Sequence, residues 1–404
     1  MDKDNDYVSI DFKKLADSLR GEFATLYPLF KDCCIYRVPP NIRMLKKVFA
    51  LQKCKELKAM EEHKLRYLQQ FLQQTRISIG DFLMFIKGKE ENLRNCYAKT
   101  IKFGSEDFVK MVLLDVVFVI EILLRYNPGF DSVDQIFTIP GMIKEIMFDF
   151  TSLENQLPIF ILKCWFKLAN SAFPELYNGY SLSQFTRCPF KYIGEAILIH
   201  ETLLQSYFSK ARHFVDLVRL CLQPPKRDDT KRQADSEDAP SVTKLHLSRV
   251  KFVLASTDKN LLDIRFNKGT LEILKLALGN MTVHLLRNLQ IFEILHCGTN
   301  YINDFDMILN CLLSDPKNIE LLTQNGVIEN QILNSEGVST LFRQLSRDAK
   351  DLKDYYISPS HKRKANLKQN YFINTPWASI SVGATACILI LTFIQTLCSI
   401  IGLK

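Results

Sequence analysis

MVLLDVVFVIEILLRY, residues 111–126, is the stretch that decides the fold class of this 404-residue chain. It is apolar on nearly every side, which is typical of a helix buried in the centre of a protein. Its 16 residues and its two acids, Asp115 and Glu121, make it too short and too polar to cross a membrane. We therefore predict a central core helix in a mainly helical domain, with its acids held in buried salt bridges to arginine.

Segments on both sides of this helix extend the helical pattern. Residues 55–74 have apolar side chains at helical spacing, Pro158 is placed to open a helix through Leu168, and residues 200–222 continue the pattern.

Glycine is scarce, with 15 residues in 404, whereas loops that cradle phosphate need glycine where the backbone approaches the ligand. The composition favours a helical fold over a nucleotide-binding enzyme.

After the mixed-charge stretch at 224–243, the spacing of the apolar residues changes toward every second residue, which predicts a small β element. Residues 250–254, 261–266 and 271–276 alternate like short strands, and Asn267-Lys268-Gly269 suits a hairpin turn. The predicted fold is mainly α with a small antiparallel β-hairpin or sheet element and a single C-terminal transmembrane helix.

The last segment is the candidate membrane anchor. No residue from 369 to 403 is charged, and residues 380–403 are mostly apolar and exceed the roughly 20 residues that cross a bilayer core. Basic residues precede it, so the positive-inside rule predicts a tail anchor with the large domain in the cytosol; a buried core helix is the alternative. The basic residues are Lys362, Arg363, Lys364 and Lys368, and the anchor residues are Trp377, Gly383, Cys387, Leu391, Phe393 and Gln395.

Within the anchor, Ser379, Gly383 and Cys387 recur every four residues. Small residues at this spacing let two membrane helices approach closely, so self-association is one hypothesis, although small residues are common in membrane helices.

The acidic N-terminus is not followed by an apolar run, so no secretory signal is expected. The sequence does not distinguish the plasma membrane from an endomembrane.

Composition also limits the partners and cofactors. The net charge of +8 is spread along the chain, without the basic stripe of a nucleic-acid-binding protein, and suits an anionic membrane surface. The 11 cysteines, an odd number without a CxxC pair, indicate reduced cytosolic thiols. Zinc-protease, P-loop and nucleophile-elbow motifs are absent from the sequence. We expect no metal, cofactor or nucleic acid; the expected partners are membrane lipid, through the C-terminal helix, and an unidentified protein.

Three polar residues, Glu154, Asn155 and Gln156, lie between apolar runs just before Pro158. They could form a ligand site. The alternative, which we favour, is that they hydrogen-bond backbone groups left free at a helix end, because buried helix ends need such partners.

Short motifs follow one another in order along the chain: residues 34–40, 60–68, 153–158, 213–219, 262–266, 287–293 and 325–328, then 371–377 and 391–396. Together they resemble the plant-specific UPF0481 family, domain of unknown function 247. The motif residues, to which the resemblance gives no role, are Tyr36, Arg37, Val38, Pro39, Glu61, Glu62, His63, Lys64, Glu154, Asn155, Gln156, Pro158, Asp216, Arg287, Asn288 and Glu293.

The chain departs from the family pattern in three places. A Ser-Ile-Gly-Pro-Tyr-His-His-Gly-like stretch is missing, and residues 43–56 bridge its place. Residues 114–118 differ from a Leu-Asp-Gly-Cys-Phe-like core, and Arg249 stands at a glycine position. If the missing stretch forms a binding surface, this chain has lost it.

The resemblance spans about residues 30–401. Together with the charge and apolar patterns described above, it divides the chain into six predicted parts: an N-terminal leader or helix (1–29), the helical part of the family domain (30–223), a flexible charged loop (224–243), a small β element with further helices of the same domain (244–360), a basic juxtamembrane segment (361–375) and the transmembrane helix (376–403).

The resemblance implies single-pass membrane proteins without established catalysis, some grass members of which are linked to recognition in self-incompatibility. It favours a non-enzymatic interaction or signalling protein. The alternatives are an enzyme with an unrecognised site, using Glu61, Glu62, His63 or the 154–156 group, and a degenerate paralogue or structural tether.

Overall fold

The computed structural model describes residues 33–38, 53–127, 135–190, 199–223, 242–255, 261–330 and 335–357, apart from single positions at 76, 178, 188, 200, 263, 298 and 314. The predicted leader helix, most of the charged loop, the basic segment and the transmembrane helix lie outside these residues. Among the helices that are described, none is long and apolar enough to cross a membrane.

The chain divides into two units. The larger comprises residues 34–93 and 103–353; the smaller comprises residues 1–33, 94–102 and 354–404. Within the described part of the smaller unit, the Arg94 guanidinium donates to the Ile101 carbonyl at 2.9 Å.

The described residues are mainly helical, as predicted, with a 3₁₀ turn at Leu153–Asn155. The helices are α1 (Lys53–Thr75), α2 (Ile79–Lys87), α3 (Glu90–Asn95), α4 (Ser105–Arg125), α5 (Gln135–Thr138), α6 (Met142–Phe150), α7 (Ile159–Ala172), α8 (Pro174–Tyr177), α9 (Leu182–Phe185), α10 (Glu201–Phe208), α11 (Phe214–Leu222), α12 (Val242–Leu247), α13 (Asn280–His296), α14 (Tyr301–Leu313), α15 (Pro316–Gln324) and α16 (Ser335–Ile357). The strands are β1 (Lys251–Leu254), β2 (Arg265–Asn267), β3 (Thr270–Ile273), β4 (Leu276–Leu278) and β5 (Ile328–Asn330).

Helix α4 is the central core helix that the sequence predicts. From Val112 to Leu124 its residues are buried, except for the half-buried Asp115. It packs against α1, α2 and α7, which meet in an aromatic cluster of Phe71, Phe82 and Trp165 with ring centroids 4.1–5.6 Å apart. Burying each such side chain contributes about 2–3 kcal/mol, so this cluster holds the helices around α4.

The two acids of the central apolar run, Asp115 and Glu121, are both in ion pairs. Glu121 pairs with Arg125 one turn further along the helix, as predicted. Asp115 pairs with Lys64 of α1 at 2.7 Å, so the prediction of an arginine partner is wrong for this residue. The reason is that Asp115 lies against α1, whose lysine reaches it across the helix interface.

Helix α13 is a second core helix, buried over most of its circumference. Its buried residues include five polar ones, Thr282, Arg287, Asn288, Gln290 and Glu293. It packs against α6, the 3₁₀ turn, α11 and α14, so it touches two of the segments that carry family motifs, residues 153–158 and 213–219.

The predicted hairpin is present, within a mixed sheet. Strands β2 and β3 pair antiparallel around Lys268 and Gly269, whose φ angles of 45° and 78° suit a tight hairpin turn. However, β1 pairs parallel with β3, and β4 forms a separate parallel pair with β5. The prediction of a purely antiparallel element is therefore wrong, because β1 and β5 reach their partners through long connections rather than turns.

Candidate functional site

Residues 34–38, which we call the strap, run extended across the larger unit and are held by three side chains. The Cys34 carbonyl accepts a hydrogen bond from His213 Nε2 at 3.0 Å, and the Val38 N–H donates to Glu154 Oε1 at 2.8 Å. Between them, the Tyr36 hydroxyl lies 2.8 Å from His296 Nδ1. The first family motif is thus held in place by Glu154 and His213, which belong to later motifs, and by His296, which follows a third.

His213 is the N-cap of α11 and is fully buried. Its Nδ1 accepts from the Asp216 N–H at 3.2 Å, so the proton that Nε2 donates to Cys34 belongs to a neutral imidazole. Burial lowers the pKa of His213 to about 4, against the opposing effects of Asp216 and the Cys34 carbonyl. Both ring nitrogens of His213 are hydrogen-bonded to backbone groups, so His213 acts as a structural cap.

Asp216 ties together the first turn of α11. Its Oδ1 accepts from the guanidinium of Arg219 at 2.9 and 3.0 Å, and its Oδ2 accepts from the Arg212 N–H at 3.0 Å. The Arg219 guanidinium lies 5.8 Å from the centre of the Phe292 ring. This places a paired charge beside the end of α13.

The C-terminal end of α13 completes the cluster around the strap. The Phe292 ring stacks on His296 at 5.0 Å and meets His213 edge-on at 4.7 Å. Burial lowers the pKa of His296, and the nearby Arg212 and Arg219 lower it further. A neutral, stacked imidazole is thereby available to the Tyr36 hydroxyl.

Glu293 caps the following helix. Its Oε2 accepts from the backbone N–H groups of Ile302 and Asn303 and from the Asn303 side chain, at 2.7–3.0 Å. Burial raises the pKa of this carboxyl, and the three hydrogen bonds oppose that change. A carboxylate at a helix N-terminus also interacts favourably with the helix dipole.

Within the 154–156 group, Gln156 hydrogen-bonds backbone groups at the ends of two helices, which is the behaviour that the interpretation favoured above predicts for this residue. Gln156 donates to the carbonyls of Phe150 and Ser152 at 2.9 and 2.8 Å, and its Oε1 accepts from the Val215 N–H at 3.3 Å. The side chain of Asn288 accepts from the Leu153 N–H at 2.8 Å. The segment thus joins the end of α6 to the start of α11 and to α13.

The 61–64 group serves a different contact. Lys64 pairs with Asp115 and with Glu61, both at 2.7 Å, Glu62 pairs with Arg66 at 2.5 Å, and His63 is buried. This group joins α1 to α4, whereas the 154–156 group joins α6, α11 and α13. The structure does not bring the two groups into one site.

The remaining predicted residues take several places. Arg37 and Asn155 are exposed, Pro158 is the N-cap of α7, and Arg287 is buried. Pro39, the four basic residues and the six anchor residues lie outside the described residues.

Four residues of the cluster were not among the candidate site residues, although the first three lie within the motif stretches 213–219 and 287–293: His213, Arg219, Phe292 and His296. His213 could have been found, because a polar residue three positions before an acid at the start of an apolar run is an N-cap pattern. The other three become neighbours only through the packing of α11 on α13.

An apolar cavity of about 20 Å³ lies among β4, α14 and α15, whereas small-molecule sites are typically about 300–1,000 Å³. Within the described ranges, no group of three or more His, Cys, Asp or Glu side chains is arranged to hold a metal ion.

The fold and the contacts of the described residues define a mainly helical protein in which side chains of the family motifs hydrogen-bond the chain's own backbone. The chain matches the family described as "Plant protein of unknown function", DUF247, over residues 35–391, and it belongs to that family. It is 25% identical to the UPF0481 protein At3g47200 of Arabidopsis thaliana over an alignment of 427 positions, which covers 92% of this chain and 87% of that protein. A second Arabidopsis thaliana protein, UPF0481 protein At3g02645, is 31% identical over 109 residues, 27% of this chain and 20% of that protein. No solved structure matches the chain.

Proposed function

We propose that this chain is a membrane-anchored, non-catalytic interaction protein, with its helical body in the cytosol and residues 376–403 as the anchor. The observation that carries the non-catalytic part is the use of the motif side chains. His213, Glu154, Gln156, Asn288 and Glu293 each hold a backbone group of the chain's own elements. Side chains committed in this way build a rigid body whose outer surface is free to meet a partner.

The anchor rests on the uncharged stretch 369–403 and on the basic cluster before it. The test is protease protection on microsomes carrying the full chain with an N-terminal tag, beside a version that ends at Thr375. We expect the full chain to resist extraction by alkaline carbonate, its body to be digested from outside, and the shorter version to be soluble. Glycan on Asn280 or a protected body would overturn the cytosolic placement.

The interaction role has its own test. Proximity labelling with the full chain is compared with labelling by residues 361–404 alone. Proteins enriched reproducibly by the full chain support a partner for the helical body. Equal labelling by the two fusion proteins, the full chain and residues 361–404, would contradict the interaction role while leaving the anchor intact.

A further inference from the structure

A buried polar group joins α13, α14 and α16, away from the strap. Asp306 of α14 is 4% exposed, and its Oδ2 accepts from the Ser346 hydroxyl of α16 at 2.7 Å. Its other oxygen, Oδ1, has no hydrogen-bond partner among the described residues. The Oδ1 of Asn310, one turn further along α14, also lacks a partner among the described residues. The same is true of the Nε2 of the buried Gln290 of α13.

The ionised form of Asp306 is poorly supported by these neighbours. A buried carboxylate is costly unless it is paired, and this one receives a single neutral hydroxyl in a good hydrogen bond. Asp306 and Asn310 lie one helical turn apart, and each has an acceptor oxygen without a hydrogen bond of normal geometry, although the Gln290 side chain acts on the Asp306 carboxyl. A proton on Asp306 would remove the buried charge and supply a donor.

We propose that Asp306 and Ser346 form a proton-dependent latch between α14 and α16, which holds more tightly when the carboxyl is protonated. The latch lies among buried apolar residues of α16, including Val338, Phe342 and Leu345, so its state affects how firmly the whole first half of α16 is docked. It does not depend on the membrane function proposed above.

The titration agrees with this geometry. Burial raises the pKa of Asp306 from 3.8 to about 6, while Ser346 and Gln290 act in the opposite direction. The groups that act on its carboxyl are Ser346 of α16 and Gln290 of α13, and neither carries a charge. Because the folded pKa is raised, the stabilisation is present in full below pH 3.8 and is lost as the pH rises through about 6.

The test is hydrogen exchange of the full chain in detergent, read by mass spectrometry in peptides of α16 and α4 and corrected for the intrinsic exchange rate at each pH. We expect protection of α16 to rise about fourfold from pH 7.5 to pH 5.5 if opening exposes Asp306, because the two pKa values fix the ratio. Helix α4 should not change.

Three variants decide the assignment. Asp306→Asn should be protected in α16 independently of pH, and more strongly than the wild type at pH 7.5. Asp304→Asn removes the same charge from an exposed position of α14 and should keep the wild-type pH dependence. Ser346→Ala removes the donor to the carboxylate and should move the midpoint to higher pH, a readout that remains if Asp306→Asn does not fold. A flat wild-type profile, or an unchanged profile in both Asp306→Asn and Ser346→Ala, would overturn the latch.

Discussion

Arg249 and Gly326 occupy the same position at the ends of two helices, and both have left-handed backbone, with φ angles of 59° and 70°. After α12, the N–H groups of Arg249 and Val250 bond the carbonyls of His246 and Leu245; after α15, Gly326 and Val327 bond Thr323 and Leu322 in the same pattern. This pair of hydrogen bonds is the Schellman motif, which usually places glycine where Arg249 stands. The resemblance to the family also puts glycine there.

Replacing Arg249 with glycine should stabilise the protein. The left-handed conformation costs a residue with a Cβ about 1 kcal/mol, and glycine avoids that cost. We expect Arg249→Gly to raise the free energy of unfolding in urea by about 1 kcal/mol and Gly326→Ala to lower it by about the same amount. Arg249→Ala is the control, since it removes the exposed charge but keeps the Cβ. A gain in Arg249→Ala as large as in Arg249→Gly would show that the backbone is not the cause.

Loss of the His213 side chain should be strongly destabilising. His213→Ala removes the cap of α11 and leaves the Cys34 carbonyl without its donor, so we expect a loss of about 2–4 kcal/mol in urea unfolding. His213→Asn can still accept from the Asp216 N–H and should recover about 1 kcal/mol of that loss. Equal stability of the two variants would mean that the capping bond contributes nothing.

His213 should also make the protein sensitive to acid. Its folded pKa, about 4, is below its ordinary value of 6.5, so its contribution is present above pH 6.5 and is lost as the pH falls toward 4. The stability difference between wild type and His213→Asn should shrink over this window, by at most about 1.4 kcal/mol per pH unit. The titration of Asp306 changes the stability in the opposite sense, but it is the same in wild type and His213→Asn and therefore cancels in the difference. A constant difference from pH 7 to pH 4 would contradict the assignment.

Cutting the Glu154 contact should loosen the strap. Glu154→Ala leaves the Val38 N–H without its acceptor, whereas Glu154→Gln keeps an oxygen there. We expect the buried Cys34 thiol to be alkylated by iodoacetamide at least about tenfold faster in Glu154→Ala, which corresponds to a loss of about 1.4 kcal/mol in closing the strap. Peptide-resolved mass spectrometry gives the rate for Cys34, and the buried Cys221 of α11 is the internal control. Parallel acceleration at both thiols would indicate general unfolding instead.

Removing the Glu293 carboxylate should fray the start of α14. Glu293→Ala leaves the N–H groups of Ile302 and Asn303 without their acceptor, and we expect a loss of about 2–3 kcal/mol in urea unfolding together with faster hydrogen exchange at residues 302–304. Glu293→Gln retains one acceptor oxygen and should lose about half as much. Unchanged exchange at these residues would show that water replaces the cap without cost.

Local patterns accounted for much of the fold. The apolar run at 111–126, the proline before α7 and the turn at 267–269 are each specified by neighbouring residues, and each prediction is confirmed. The predicted helix at 200–222 is divided into α10 and α11, because His213 and Asp216 cap a new helix start inside it.

Long-range pairing was the part that the sequence did not reveal. The pairing of β4 with β5 joins Leu276 to Ile328, and nothing near either residue specifies the other. The same holds for the site: the sequence supplied the motif residues Tyr36, Glu154 and Asp216, but their shared surroundings arise from the packing of α11 on α13. The divisions of the chain, the anchor and the role of the motif residues stay predictions.

The strap has a consequence for biosynthesis. Its three partners lie 116, 179 and 260 residues further along the chain. A ribosome makes the strap early, yet the last of those partners emerges only after most of the polypeptide has been translated. During that interval the strap, whose Ile35 and Val38 are buried in the folded protein, lacks part of its hydrogen bonding, and exposed apolar segments of this kind are where chaperones bind nascent chains. Fastening the strap is therefore one of the last steps by which a newly made molecule reaches its mature form.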